Sequence, residues 1–229
     1  MGISAGPNIV RDSSLILDFD ASDQNSYISG SVTWKDVSGN GNNGTLNSTP
    51  LYSSTYNNGI TFLSGGTYAS TNLTIPSPST RATTYEIAFI PATGSIVPLS
   101  GLMGYSGYQS DGFSLNVYSG GILNQAYSGS VSIFEFAYSP ISYTKVNVIT
   151  AVFENRKNTY YYNGSFVNST TYTFDILPSA TPIRIGGNTQ GGWTQSQCTV
   201  FCARVYNRAL TQTEIQQNYN ALKSRFGLR

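Results

Sequence analysis

Apolar and polar residues alternate with a period of two along much of this chain, the spacing of half-buried strands. In Leu15-Ile16-Leu17-Asp18-Phe19-Asp20, the positions Leu15, Leu17 and Phe19 share one face and Ile16, Asp18 and Asp20 the other. The same rhythm predicts strands over 84–90, 112–118, 131–138 and 145–153, and again over 158–162, 165–167, 182–185 and 198–206. Val32-Thr33-Trp34 and Ile60-Thr61-Phe62-Leu63 are shorter pieces of the same kind. Between them stand turn residues. Asn40-Gly41 and Asn43-Gly44 predict a tight, ordered loop, and Asn163-Gly164 a two-residue hairpin turn. Many short strands without long helical patterns between them indicate an antiparallel sandwich or barrel, not a parallel βαβ sheet. No low-complexity linker divides the chain, so residues 15–229 read as one domain preceded by an arm over 1–14.

One segment breaks the alternation. Thr211 and Glu214 have the spacing of a capping box, and Leu210 and Ile215 that of a hydrophobic staple. Ile215, Tyr219, Leu222 and Phe226 then share a helical face, with Gly227 placed to stop it. A helix over 212–224 is predicted, packed on the outside or edge of the sandwich.

Composition narrows the chemistry. The 17 Tyr, 11 Phe and 23 Gly suit pleated surfaces joined by turns. Only 10% of residues are charged, against roughly 25% in ordinary domains. A net charge of +1 argues against an electrostatic grip on nucleic acid. Histidine is absent, which removes Ser-His-Asp and Cys-His catalysis and histidine-containing zinc sites. No apolar run is long enough for membrane insertion, and the first residues lack the basic and apolar regions of a cleaved signal peptide. Cys198 and Cys202, on one regular strand, would point the same way but stand about 13 Å apart, so free buried thiols are expected.

Several segments are familiar in combination. Leu15 to Ala21, followed by Thr33-Trp34-Lys35-Asp36-Val37-Ser38-Gly39-Asn40-Gly41-Asn42-Asn43-Gly44-Thr45-Leu46, resembles the opening of laminin-G-like domains of the concanavalin A-like lectin/glucanase superfamily. The hairpin over 150–167, Ile185-Gly186-Gly187, and the ending from Ala203-Arg204-Val205-Tyr206-Asn207-Arg208 to Leu222 match in the same order. The resemblance spans roughly residues 12–226, with 70–145 agreeing in strand rhythm alone. It implies an all-β, antiparallel β-sandwich of jelly-roll type with a short C-terminal helix. The opening Gly6-Pro7-Asn8-Ile9-Val10 further resembles virion proteins of tailed marine bacteriophages that carry this fold.

Related glucanases carry a Glu-x-Asp-x-x-Glu cluster on one strand. Here Glu86, Glu135, Glu154 and Glu214 are scattered, and Asp18 and Asp20 lack a third partner, so no hydrolase is expected. Calcium is the one cofactor for which ligands are at hand: Asp20, Asp36, Asn40 and Asn43 offer the required oxygens, unless Asp36 and the asparagines bond their own backbone as Asx-turns. Glycan recognition would use aromatic faces on a loop rim, for which Tyr105, Tyr108, Tyr118, Tyr127 and Trp193, in or near glycine-rich loops, are the candidates. Two functions stand open. One is a non-enzymatic virion protein on the particle exterior (capsid decoration, tail or fibre). It would be assembled in the bacterial cytoplasm, self-associate or contact other virion proteins, and use Gly6, Pro7, Asn8, Ile9 and Val10 as an assembly arm. The other is an adhesin module that binds a host-surface glycan.

Overall fold

The structure is a computed structural model that describes residues 8–48, 51–53, 58–62, 67–74, 82–91, 100–104, 112–118, 121–128, 131–137, 141–175, 181–186 and 198–228. In chain order its first strands are β1 (Leu15–Asp20), β2 (Thr33–Trp34), β3 (Gly44–Leu46), β4 (Leu51–Ser53), β5 (Gly59–Phe62) and β6 (Ala69–Ser70). Next come β7 (Thr83–Pro91), β8 (Ser100–Gly104), β9 (Gly112–Tyr118), β10 (Gly121–Ser128) and β11 (Val131–Ala137). The last are β12 (Asn147–Glu154), β13 (Lys157–Tyr162), β14 (Ser165–Thr171), β15 (Arg184–Ile185) and β16 (Cys198–Tyr206), followed by the helix α1 (Gln212–Lys223).

Two antiparallel sheets form a sandwich. One runs β14-β13-β12-β7-β16-β5-β4, with β1 also paired to β16; the other runs β11-β10-β9-β8-β15-β6-β3-β2. Along one edge of β16, β5 pairs with Cys198–Val200 and β1 with Cys202–Tyr206, end to end. On the other edge β7 pairs along the whole strand. The inner core is aromatic. Phe19 stacks on Trp34 at 4.8 Å, and Tyr85, Phe113 and Phe153 form a cluster with ring centroids 4.4–5.8 Å apart. Each such ring removed from water contributes about 1.5–3 kcal/mol.

Strand β16 is not regular, and this changes the fate of its cysteines. Its register shifts between Val200 and Cys202. Cys198, Val200, Ala203 and Val205 enter the inner core, whereas Phe201 and Cys202 face outward beneath the helix. The bulge therefore sends the two thiols to opposite faces of the sheet instead of the same one. Both are free and buried, and burial pushes the Cys202 thiol up to about 11. A second shift, between Leu15 and Leu17, puts Leu15 in an outer cluster while Leu17 and Phe19 enter the core.

Helix α1 forms a third layer on the outer face of the β7–β16 sheet. The expected capping box is present: Thr211 Oγ1 accepts the Glu214 N–H at 3.3 Å, and Glu214 Oε2 accepts the Thr211 N–H at 2.8 Å. The staple residues Leu210 and Ile215 share one buried cluster. Ile215, Asn218, Tyr219 and Leu222 are the buried positions, so an amide lies within the apolar stripe. Thr211→Ala is expected to lower stability by about 1 kcal/mol in urea unfolding; an unchanged midpoint would show that the cap contributes nothing.

Residues 8–14, expected as part of an arm, are packed on this layer. Val10 is buried beside Leu15, Tyr206 and Ile215. Its N–H donates to Asn218 Oδ1 at 2.8 Å, and its carbonyl accepts from the Tyr206 hydroxyl at 3.1 Å. Gln217 Nε2 donates to the Asn8 carbonyl. Arg208 locks the junction, donating to both Glu214 oxygens at 2.8 and 2.7 Å and to Asp12 at 2.7 Å. Ser14 and then Arg208 lower the Asp12 carboxyl to about 2. Arg208, against the opposing effect of burial, lowers that of Glu214 to about 2. Both values are depressed on folding, so the stabilisation is complete above about pH 4.5, the unfolded value, and disappears as pH falls toward 2. Arg208→Gln should flatten this acid limb, read as urea midpoints between pH 5 and pH 2. A variant with the unaltered slope would count against the cluster as its source.

Candidate functional site

The Asn-Gly loop after β2 is built around one carboxylate. Asp36 Oδ1 accepts the N–H groups of Asp18 and Ser38, both at 2.9 Å. Asp36 Oδ2 accepts the Asn42 N–H at 2.9 Å and the Ser38 hydroxyl at 2.8 Å. Asn43 Oδ1 takes the Asp36 N–H. Asn40 and Asn42 donate their amides to the carbonyls of Leu15 and Ile16. The loop is thus an Asx-turn clamp riveted to β1. Of the four candidate calcium ligands, Asp36 and Asn43 touch, Asn40 reaches β1, and Asp20 turns to the helix, where Arg225 donates to it at 2.6 Å. Burial would raise the Asp20 carboxyl; Arg225 more than reverses this and holds it below the ordinary value. Among the described residues, no three of Asp, Glu, Cys and His gather as a metal site.

Beneath the helix lies a buried polar network that the sequence pattern did not announce. Arg204, on β16, donates from Nε to Asp18 at 3.0 Å and from Nη1 to Glu86 at 2.9 Å. Asn218 donates to Glu86 at 3.2 Å and to the Tyr206 hydroxyl at 3.0 Å, and Arg11 reaches the second oxygen of Asp18 at 2.7 Å. Burial works against the Arg204 charge; the anionic form of Cys202 at high pH, with Asp18 and Glu86, offsets this and keeps the guanidinium protonated. Asp18 and Glu86 are therefore consumed in structure. Glu214 serves the cap, Glu154 is exposed at the β12–β13 hairpin, and the side chain of Glu135 is outside the described residues. Where Arg11, Asp20, Arg204 and Arg225 approach one another, with Asn8, Ile9, Ala221 and Leu222, they line a pocket of about 570 Å³.

The aromatic candidates divide. Tyr105, Tyr108 and Trp193 lie outside the described residues, as do Gly6 and Pro7 of the opening segment. Tyr127, expected in or near a loop, is on strand β10 opposite Gly112, and Tyr118 is the last residue of β9. Gly104 and Gly112, which flank 105–111, stand with Tyr127 at one end of the sheet. Gly186 leaves β15 beside Leu102, heading toward the opposite end, where Pro91 meets Cys198. The segment bearing Tyr105 and Tyr108 thus attaches at the same end as Tyr127, and the segment bearing Trp193 at the other.

Comparison with known proteins agrees with this architecture. The Concanavalin A-like lectin/glucanases superfamily matches over residues 99–216, just over half of the chain. No curated protein matches. Among solved structures, the binding domain of Paraclostridial Mosquitocidal Protein 1 is similar at TM-score 0.70 and 16% identity, over 91% of this chain and 52% of that one. The botulinum neurotoxin serotype D binding domain gives TM-score 0.67 and 14% identity, over 90% and 51%. A Trypanosoma rangeli sialidase in complex with 2,3-difluorosialic acid gives 0.67 and 17%, over 93% and 34%. This chain therefore spans about half the length of the two toxin structures and a third of the sialidase. With a two-sheet antiparallel sandwich, a β16 shared between β1, β5 and β7, and this match, the chain belongs to the concanavalin A-like lectin/glucanase superfamily as a laminin-G-like domain.

Proposed function

We propose that this chain is a non-enzymatic recognition domain whose ligand is a cell-surface glycan. The observation that carries the reading is the sandwich itself, shared over about nine-tenths of the chain with the binding domains of two toxins and with part of a sialidase. The use of Asp18, Glu86 and Glu214 in ion pairs and caps supports binding without hydrolysis, since glycoside cleavage needs two carboxyls poised across the scissile bond. Aromatic rings on glycine-rich segments supply faces for sugar rings. The test is a glycan array with the purified chain, followed by a reducing-end assay on every polysaccharide retained. The expected result is binding without cleavage that is lost on Tyr105→Ala with Tyr108→Ala, or on Trp193→Ala, which tells the two ends of the sandwich apart. Retention of no glycan, or release of reducing ends, would overturn the reading.

A second reading is favoured by the opening Gly6-Pro7-Asn8-Ile9-Val10: an exterior component of a tailed-phage particle, contacting capsid or tail proteins and repeated by the particle's symmetry. The segment from Asn8 to Val10 is fastened to the domain's own helix, so a contact through these three residues would use the finished domain surface. Immunogold labelling of particles with antibody to this chain decides it; unlabelled particles would exclude it.

A further inference from the structure

From the pocket between the N-terminal segment and the end of α1, we infer a binding site for an oxyanion group, a carboxylate, sulfate or phosphate, carried free or on a body of monosaccharide size. Three arginines from three separated parts of the chain, Arg11, Arg204 and Arg225, line it against one lining carboxylate, Asp20. The two acids that hold Arg204, Asp18 and Glu86, are 0% and 1% exposed and do not line the pocket. Asp18 and Asp20 project from the same face of β1, two residues or about 7 Å apart along the strand, and between them they hold all three guanidiniums.

The donor inventory leaves capacity facing the pocket. A guanidinium has five N–H donors in a rigid fork. Arg204 uses Nε on Asp18 and Nη1 on Glu86, which leaves Nη2. Arg11 uses Nη2 on Asp18, and its side chain is 52% exposed, which leaves its other edge to solvent. A planar oxyanion can take two such N–H groups in parallel. Arg204 cannot rotate away, because its two ion pairs are buried, so this part of the site is organised before a ligand arrives. Ile9, Ala221 and Leu222 give the pocket an apolar wall, and its volume of about 570 Å³ falls within the range of small-molecule sites, roughly 300–1,000 Å³.

Isothermal titration calorimetry of the full chain, at fixed low ionic strength, tests this with sodium sulfate, sodium phosphate, acetate and glucuronate as probes and glucose as the uncharged control. Saturable one-to-one binding of at least one anion is expected, with none of glucose at this site. Arg11→Gln should weaken it at least about tenfold, the loss expected for a charge-assisted hydrogen bond. Ala221→Asp, which adds a like charge to the wall without touching any ion pair, should abolish it. Glucuronate binding tighter than acetate identifies an acidic sugar as the better occupant; sulfate or phosphate binding tightest identifies the free ion. Absence of saturable binding by all four anions overturns the inference, as does anion binding unaltered by both substitutions. Neutral-glycan binding on the array alongside that negative result would overturn this inference alone and leave the glycan reading standing.

Discussion

Replacing Arg204 with methionine is expected to lower the unfolding free energy by about 3–5 kcal/mol, the range seen when one partner of a buried ion pair is removed. The cost comes from what remains. Asp18 and Glu86 stay buried at 0% and 1% exposure, and among the described residues Glu86 keeps the neutral donors Asn218 and Thr150. Asp18 retains Arg11, a half-exposed partner that solvent screens. Neutralising the two acids together with the arginine is another matter, because removing all three charges also removes their desolvation cost. Arg204→Met combined with Asp18→Asn and Glu86→Gln should therefore recover a large part of the loss. Urea midpoints with slopes unchanged would measure both effects. A single substitution costing less than about 1 kcal/mol would mean that the pairs are hydrated in solution.

Gly186→Ala is the second large effect. Gly186 follows β15 with φ +78°, and a Cβ there would stand 2.2 Å from Cδ2 and 2.3 Å from Cγ of Phe62. Phe62 is 1% exposed at the end of β5, in the facing sheet, and belongs to the inner core. Overpacking costs about 1–3 kcal/mol and a left-handed backbone about 1–2 more for a residue with Cβ. The sum is about 2–5 kcal/mol. The chain provides its own control in Gly39, whose φ is +93° with nothing within 4 Å of a modest added methyl. Gly39→Ala carries the backbone part alone, about 1–2 kcal/mol. Equal melting temperatures for the two variants would show that Phe62 moves aside freely.

Local signals were legible in the sequence, and signals that depend on distant partners were not. β9 at 112–118 and β16 at 198–206 follow from alternation, and α1 from a capping box that needs only four consecutive residues. β8 and β10 escaped because Ser100-Gly101-Leu102-Met103-Gly104 reads as a turn and Gly121 to Ser128 as a glycine-bounded loop; neighbouring strands make them ladders. β3, β4 and β6 are two or three residues long, too short for any period to appear. Alternation puts Asp18 on the face of β1 opposite Leu15, Leu17 and Phe19, and nothing local says what lies over that face. The helix and residues 8–14 cover that face, and the partner Arg204 is 186 residues away. Nothing local in Val200-Phe201-Cys202 marks the bulge that reverses the faces after it. The Asx alternative for Asp36 was visible beforehand, since Asp and Asn near glycine bond their own backbone readily.

The end-to-end seating of β1 and β5 on one edge of β16 makes the order of synthesis matter. While the ribosome has made only the first 197 residues, β1, β5 and β7 exist as chain but lack the strand that joins them. The sheet that β16 completes is then three unconnected pieces, β14-β13-β12-β7, β5-β4 and β1, its apolar inner faces exposed, and loop closure across most of the sequence must wait for the last strand. Completion is consequently late and concerted: Tyr206 finds Leu15 and Thr84 together, and the helix follows within a few residues to cap the seam. Chains halted before Cys198 are left with open strand edges, the form in which sheet proteins aggregate.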